Sequence, residues 1–211
     1  MKLPFRFKAF KTFLPLISNY TRKRRAKMFI SLMKPEEGMR ILDIGGQPQI
    51  WDFIDIPLNI TCLNLPGIAQ KNHKSHHNIK FVEGDGCNMP QYNMGDFDML
   101  FSNSVIEHVG PESNRALFAS EVKRICTTYW IQTPYKYYPF EAHCGMPFWW
   151  FYSEKMRQKF INKWKKEVPA WAEMVETTTV VTVPELKKHF PNSNVIKEWF
   201  IFPKSVIVYR T

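Results

Sequence analysis

The sequence lacks several features that would each indicate a particular class of protein. Its cysteines, at positions 62, 87, 126 and 144, show no CxxC spacing, and no stretch approaches the roughly 20 apolar residues that a membrane-spanning helix needs. An internal repeat and a low-complexity tract are also missing. With no secretory signal peptide, we expect the cysteines to be reduced thiols of a cytoplasmic protein. The length of 211 residues then predicts one globular domain.

Acidic residues are absent from positions 1–34, which carry ten Lys and Arg, so the rest of the chain is neutral. The opening residues interleave phenylalanines with cations, as membrane-surface segments do. Residues 21–34 are predicted to be helical, with Met28, Phe29, Leu32 and Met33 on one side and the charges on another. We therefore predict a basic segment and helix over 1–34 that contacts an anionic membrane peripherally. A nucleic-acid groove could use the same charges, and so could a solvated helix packed on a sheet.

The stretch 40–49, "RILDIGGQPQ", is the one around which the other motifs are arranged. Its apolar residues around Asp43 predict a buried parallel strand. The strand ends in Gly45 and Gly46, which allow a tight turn and let a ligand approach without meeting a Cβ atom. In an open α/β sheet, ligands bind outside the carboxyl ends of the strands. Asp43 and the two glycines are therefore expected on the floor of a binding crevice.

Three further strands are predicted to end in polar residues at the same edge. Asn64, in "ITCLNL", lies 21 positions beyond Asp43, close to the roughly 20-residue offset of ribose-binding acids in dinucleotide-binding folds. Asp85 and Gly86 follow a strand over 80–83. Ser102 and Asn103 end the strand in "FDMLFSNSVIEHVG", residues 97–110.

The rest of the chain continues the alternation of helices and strands. Residues 111–126 are predicted to form an amphipathic helix that buries Leu117, Phe118, Val122 and Ile125, and "TTYWIQTP" a fifth strand. A short helix from Pro184 follows, and then a turn at Pro191–Asn192. The chain closes with two β-rich runs that we expect to be broken at Pro203–Lys204.

In this order, the motifs from about residue 38 to 210 resemble the class I S-adenosylmethionine (SAM)-dependent methyltransferases of the small-molecule type. The resemblance implies an α/β fold with a seven-stranded, mostly parallel Rossmann-like sheet, helices on both faces and an antiparallel last strand. It implies a methyltransferase domain over 35–211 with an acceptor-site insertion at 134–176. The implied SAM-binding residues are Asp43, Gly45, Gly46, Asn64, Asp85, Gly86, Ser102 and Asn103. The chain departs from the family pattern at Gln47 and Pro48, where glycine is usual, and at Asn64, where an acid is usual.

Residues 134–176 are rich in aromatic side chains, and in this family such elaborations build the acceptor pocket. Tyr137, Tyr138 and Trp149 could offer stacking faces to a sugar, an aromatic acceptor or a lipid tail. Methyl transfer to a hydroxyl benefits from a general base, for which histidine is suited. His143, with Glu141 beside it, and His108 are the two candidate bases. The loop histidines 73, 76 and 77 have no neighbouring partners that would complete a zinc site, so no metal ligand is predicted.

The sequence predicts a SAM-dependent methyltransferase, a cytoplasmic transferase peripheral to the membrane. Its acceptor would be a small or lipid-linked molecule, with a saccharide hydroxyl favoured by the aromatic segment. Two alternatives stay open. The basic beginning would suit an RNA methyltransferase, although nucleic acid is less favoured because no RNA-binding module is recognisable. Gln47 and Asn64 would suit a SAM-fold binding protein without turnover.

Overall fold

In a computed structural model, the chain forms one seven-stranded sheet in the order β3-β2-β1-β4-β5-β7-β6. The strands are β1 (Arg40–Ile44), β2 (Asn59–Asn64), β3 (Asn78–Glu83), β4 (Met99–Asn103), β5 (Tyr129–Pro134), β6 (Asn194–Phe200) and β7 (Phe202–Arg210). The structure describes residues 5–68 and 73–211, and the side chains from residue 19 onward. The phenylalanines of the opening segment, predicted to lie on a membrane, therefore have side chains outside the described residues.

Strands β1 to β5 are mutually parallel, and β7 lies antiparallel between β5 and β6. This arrangement confirms the predicted fold class. Ile41 of β1 is in register with Ile60 of β2 on one side and with Met99 of β4 on the other. The carboxyl ends of these strands consequently meet at one edge, where parallel α/β sheets place their ligands.

Helices cover both faces of the sheet. They are α1 (Phe5–Met33), α2 (Glu112–Ile125), α3 (Glu154–Glu167), α4 (Pro169–Thr177) and α5 (Val183–His189), with short 3₁₀ helices at Pro48–Phe53 and Trp149–Phe151. Alternate residues of the buried strands point to opposite faces. One face packs on α2 and α5 through residues that include Leu42, Leu100, Phe118, Leu186 and Val208. The other packs on α1 and the first 3₁₀ helix through residues that include Ile41, Phe29, Trp51, Phe101 and Trp130.

Helix α1 is held to the sheet by both apolar and ionic contacts. Phe29 meets the rings of Trp51, Phe101 and Trp130 edge to face, at centroid distances of 5.8, 5.4 and 5.6 Å. The expectation that every charge of this helix faces away from its apolar side is wrong for Arg25. Its guanidinium is buried and forms an ion pair with Glu198 of β6 at 2.6 Å.

Two local predictions are also corrected. Leu117 is 54% exposed, because α2 turns Phe118, Ala119 and Val122 toward the sheet and leaves the neighbouring position outside. The break between the last two strands falls at Ile201, which adopts the left-handed φ of 62°, and not at Pro203–Lys204. Pro203 lies inside β7, near the tip of the hairpin, opposite Trp199.

The segment 134–176 forms a small apolar core of its own, built on Met146, Trp149, Ile161 and Val175. Trp149 stacks on Trp164 at 5.5 Å and is only 2% exposed. It therefore offers no stacking face to an acceptor, contrary to expectation, whereas Tyr137 is 56% exposed. Within the described residues, none of the helices is both long and apolar enough to cross a membrane.

Candidate active site

The turn after β1 requires both of its glycines. Gly45 has a φ of +68°, its amide donates to the Leu63 carbonyl at 2.7 Å, and a Cβ atom here would collide with Val105. A Cβ atom on Gly46 would collide with the carboxyl group of Asp43. The chain thus makes the tight turn that the sequence predicts, passing between β2 and the segment that follows β4.

Asp43 lies beneath this turn and is 1% exposed. Its Oδ2 accepts a hydrogen bond from the Trp51 indole at 2.8 Å, while its Oδ1 has no hydrogen-bond partner in the described part of the chain. Burial raises the pKa of Asp43 to about 8, against the opposing effect of the Trp51 bond. Desolvation dominates because one hydrogen bond does not replace the lost hydration of a carboxylate.

The ends of β2 and β3 converge on the same turn. The Asn64 amide Nδ2 donates to the Gly46 carbonyl at 3.1 Å, which ties the end of β2 to the glycines. Asp85 is exposed beyond β3, and its Oδ1 accepts from the Cys87 amide at 2.8 Å. A Cβ atom on Gly86 would collide with the side chain of Ile44. Residues at the carboxyl ends of three different strands are therefore brought to one place, as the sequence predicts.

The two predicted residues of β4 make contacts within the protein. Ser102 is fully buried, and its hydroxyl donates to the Ile44 carbonyl of β1 at 3.2 Å. Asn103 Oδ1 accepts a hydrogen bond from the guanidinium of Arg25, the residue that also pairs with Glu198. The end of β4 is thus fixed on one side by β1 and on the other by helix α1.

The candidate bases His108 and His143 form one hydrogen-bonded unit rather than two alternatives. Their Nε2 atoms lie 3.0 Å apart. His143 Nδ1 lies 2.7 Å from Glu141 Oε1, and the other oxygen of Glu141 accepts from the amides of His143 and Cys144 at 2.6 and 2.7 Å. His108 Nδ1 lies 3.3 Å from the hydroxyl of Thr178. The three predicted catalytic residues are therefore in contact beyond the ends of β4 and β5.

Electrostatics differ across this unit. Burial lowers the pKa of His108 to about 4, assisted by the nearby charge of His143. Burial alone would also lower the pKa of His143, but the hydrogen bond and charge of Glu141, together with the charge of Glu107, raise it. In a protonated pair, the positive charge consequently resides on His143 beside its carboxylate partner.

Glu107 also joins the unit, although it is not among the site residues that the sequence predicts. It is 1% exposed, and burial raises its pKa to about 7. Its Oε2 accepts from the Thr133 hydroxyl at 3.0 Å, and its Oε1 has no hydrogen-bond partner among the described residues. The Glu-His pair at 107 and 108 was the only sequence signal for it.

A shallow pocket that is open to solvent lies over these groups. Its lining combines the ends of β4 and β5, the aromatic segment and the stretch after α4: Glu107, Thr133, Pro134, Lys136, Glu141, His143, Trp150, Thr178, Thr179 and Val180. Thr178 and Thr179 belong to a run of threonines without a recognisable motif. Only the fold brings them to the site, since Thr179 bonds the Glu107 carbonyl through its amide and its hydroxyl, both at 2.8 Å.

Comparison with known proteins agrees with this architecture. Residues 57–128 match the family model described as a methyltransferase domain, whereas no curated protein matches the chain. Magnesium protoporphyrin IX methyltransferase (ChlM) from Synechocystis PCC 6803, solved with bound SAH, is 9% identical, with a TM-score of 0.56 over 100% of this chain and 90% of that one.

Two other similar structures differ in the methyl acceptor that their names state. CurJ carbon methyltransferase is 11% identical with a TM-score of 0.57, over 89% of this chain and 53% of that one. The Haemonchus contortus phosphoethanolamine N-methyltransferase 2, in complex with phosphomonomethylethanolamine and S-adenosylhomocysteine, is 14% identical with a TM-score of 0.52, over 82% and 39%. The chain thus spans less than two thirds of these two proteins. By its sheet order, the chain has the fold of the Rossmann-like, class I SAM-dependent methyltransferases, and residues 57–128 match the methyltransferase-domain model.

Proposed function

We propose that the protein transfers a methyl group from SAM to a hydroxyl of a small or lipid-linked acceptor, a saccharide being favoured. One observation carries this proposal. The glycine turn and the histidine unit lie at the same edge of the sheet, joined by the segment after β4, where Val105 adjoins Gly45 and Glu107 and His108 follow. A cofactor at the turn would therefore face an acceptor in the pocket.

The described residues fit SAM at the turn. The buried Oδ1 of Asp43 has no partner among them, and a cationic ligand would compensate it. We propose that SAM is bound by the predicted set: Asp43, Gly45, Gly46, Asn64, Asp85, Gly86, Ser102 and Asn103. Within it, Asn64 and Asp85 would serve the ribose and the adenine, while Ser102 and Asn103 would hold the end of β4 beside the methionine part.

When bound, SAM supplies an electrophilic methyl group on a sulfonium, so the protein has to position the nucleophile and exclude water. The unit of His108, His143 and Glu141 would accept the proton of the acceptor hydroxyl. The location of the unit supports this role, because His143 and Glu141 line the pocket and are largely screened from solvent.

The acceptor side supports a sugar. Lys136 and Trp150 line the pocket, and Tyr137 and Phe151, whose ring centroids lie 5.9 Å apart, are more than half exposed nearby. Exposed aromatic faces beside hydrogen-bonding groups are the combination that stacks on saccharide rings.

The test is incorporation of label from methyl-labelled SAM into a panel of monosaccharides, polyprenyl-linked saccharides and a structured RNA. We expect a saccharide product, and we expect His143→Ala to lower turnover by ~10²–10⁴-fold with unchanged SAM affinity. His76→Ala is the matched control, since this histidine bonds the Ile54 carbonyl away from the pocket and should leave turnover intact. Methylation of RNA alone would favour the RNA alternative. SAM binding without any product would favour the binding protein.

We further propose that residues 1–34 contact an anionic membrane together with the β6–β7 hairpin. Its tip is apolar and exposed, with Ile201 at 82% and Trp199 at 55%. The tip adjoins the basic helix α1, because Arg24 donates to the Trp199 carbonyl at 2.8 Å. Apolar side chains beside cations are the combination that binds membrane surfaces.

Co-sedimentation with phosphatidylserine-containing vesicles tests this contact. We expect Ile201→Asp, and separately deletion of residues 1–15, to weaken binding several-fold, since each cation near the surface contributes about 1 kcal/mol and the tip adds apolar area. Ile68→Asp is the control, an equally apolar residue that is 59% exposed elsewhere. If the full-length protein binds a structured RNA but does not bind these vesicles, the membrane proposal is contradicted.

A further inference from the structure

We propose that Glu107, His108 and His143 bind one divalent transition-metal ion, through the carboxylate Oε1 and the two imidazole Nε2 atoms. The inference rests on the function proposed above, because the ion would act on the acceptor in the same pocket. It goes beyond the sequence prediction, which assigned no metal ligand.

The distances between the proposed ligand atoms are compatible with one shared ion. One potential ligand atom from each of the three residues lies within 4.8 Å of the others, and the two Nε2 atoms are 3.0 Å apart. Two nitrogens that each lie about 2.1 Å from an ion, at an angle near 90°, are about 3.0 Å from each other. The imidazoles therefore need little movement to coordinate, and the Glu107 carboxylate has to close the remaining gap.

The outer hydrogen bonds of the histidines fix where their ring protons lie. Glu141 receives two backbone amides and so acts as a carboxylate acceptor, which places a proton on Nδ1 of His143. Thr178 donates its single hydroxyl proton to the Met174 carbonyl at 2.7 Å, so its oxygen accepts from Nδ1 of His108. Both neutral rings then point an Nε2 lone pair at the other.

Two lone pairs at 3.0 Å repel each other unless a cation lies between or beside them. A shared proton is one solution, and a metal ion is the other. Glu107 favours the ion, because its buried Oε1 has no donor among the described residues while its Oε2 is oriented by Thr133. A proton held between the two imidazoles would leave that oxygen uncompensated, whereas a metal ion satisfies all three atoms.

The surroundings have the character of a metal site's outer shell. Metal-bound histidines usually donate their second ring N–H to a carboxylate or another acceptor, as His143 does to Glu141 and His108 to Thr178. Two imidazoles and one carboxylate suit Fe²⁺, Mn²⁺, Co²⁺ or Zn²⁺ and leave positions open for a further ligand.

Such an open position would bind the acceptor hydroxyl and make it more acidic. The hydroxyl proton would leave to water through the mouth of the pocket. The oxygen would then form its bond to the methyl carbon as the carbon–sulfur bond breaks, with that electron pair remaining on sulfur.

Calorimetry of chelator-stripped protein with Zn²⁺ and Mn²⁺, and absorption spectroscopy with Co²⁺, test the site. We expect one ion per chain and a ligand-field band for Co²⁺. Glu107→Gln and His143→Ala should each weaken binding at least about 10-fold, and Thr178→Val about 10-fold, as outer-shell losses do. His76→Ala is the control, because its ring lies 3.9 Å from that of His77 and the two form the other histidine pair of the described chain.

SAM binding by every variant serves as the check on folding. Three results would each overturn the metal site. The first is that the native protein binds no ion, the second is that Glu107→Gln and His143→Ala bind it with the affinity of the native protein, and the third is that His76→Ala fails to bind it. If SAM binds and His143→Ala still abolishes turnover in that case, the proposed methyl transfer survives with the imidazoles carrying the proton directly. If SAM does not bind at all, the proposed function fails, whatever the metal result.

Discussion

The two halves of the active edge are built on different principles. At the ends of β1 to β3, the structure relies on backbone shape, with glycines where a Cβ atom would collide and one buried carboxyl group beneath them. Beyond β4 and β5, it relies on side chains, with two imidazoles and two carboxyl groups packed around a pocket. A cofactor of fixed shape needs a close-fitting surface, whereas acceptor activation needs titratable or metal-binding groups.

The strongest disruption of the cofactor half should come from Gly45→Ala. The substitution introduces strain at a φ of +68° and drives the new Cβ atom into Val105. Strain of roughly 1–3 kcal/mol corresponds to a loss of SAM affinity on the order of 10- to 100-fold, measured by calorimetry. The ion proposed for the acceptor half should still bind.

Gly95→Ala is the matched control for this effect. Gly95 has a φ of +90°, but a Cβ atom added to it would meet nothing within 4 Å, and it precedes β4 at the opposite edge of the sheet. The variant shares the backbone strain without the collision, so it should lower thermal stability and leave SAM affinity unchanged. Equal losses of affinity in both variants would show that Gly45 acts only through general stability.

The two halves also differ in how far the sequence predicts them. Asp43, the two glycines and Asn64 lie at the carboxyl ends of strands that apolar patterning locates. Parallel strands bring these ends together, so the convergence of these residues was predictable. The acceptor half joins residues near 107, 141 and 178. The sequence indicated His108 and His143 separately, but their contact depends on how the segment after β5 folds back, which no local pattern specifies.

The dependence on long-range packing also explains why two sequence-based predictions were wrong. Trp149 belongs to an aromatic-rich segment, and such a composition is equally typical of a ligand-stacking surface and of a small core. Only the packing of Trp149 against Trp164 shows that it belongs to the core. Arg25 lies in a run of cations that predicts a solvated face, yet Glu198, far along the chain, compensates its burial. Long-range pairing of charged side chains leaves no periodic signal in the sequence.

A second prediction concerns the buried carboxyl group of the cofactor half. The pKa of Asp43 in the folded protein, about 8, lies above its ordinary value of 3.8. Between these values the folded state holds a proton that the unfolded state releases, so the contribution to stability is full below about pH 4 and is lost as the pH rises toward about 8. The slope approaches at most ~1.4 kcal/mol per pH unit.

Asp43→Asn should remove this slope while keeping an acceptor for the Trp51 indole. Urea unfolding at several pH values between about 5 and 8 should show the variant gaining stability relative to the native protein as the pH rises. Asp55→Asn, an exposed carboxylate in the same region, should follow the native curve. Parallel curves for the native protein and Asp43→Asn would show that Asp43 is already charged in the folded state.

The smallest effect is expected for Asn64→Asp, the substitution that restores the acid usual in this family. The carboxylate would accept from the ribose hydroxyls of SAM, but it loses the Nδ2 donor that bonds the Gly46 carbonyl at 3.1 Å. A hydrogen bond of this kind contributes about 1 kcal/mol, similar to the expected gain from a charged acceptor, so the dissociation constant of SAM should change by no more than about threefold. Asn64→Ala loses both interactions and should bind at least about 10-fold more weakly. If Asp and Ala at position 64 weaken SAM equally, Asn64 serves only to hold the turn, and the ribose is bound elsewhere.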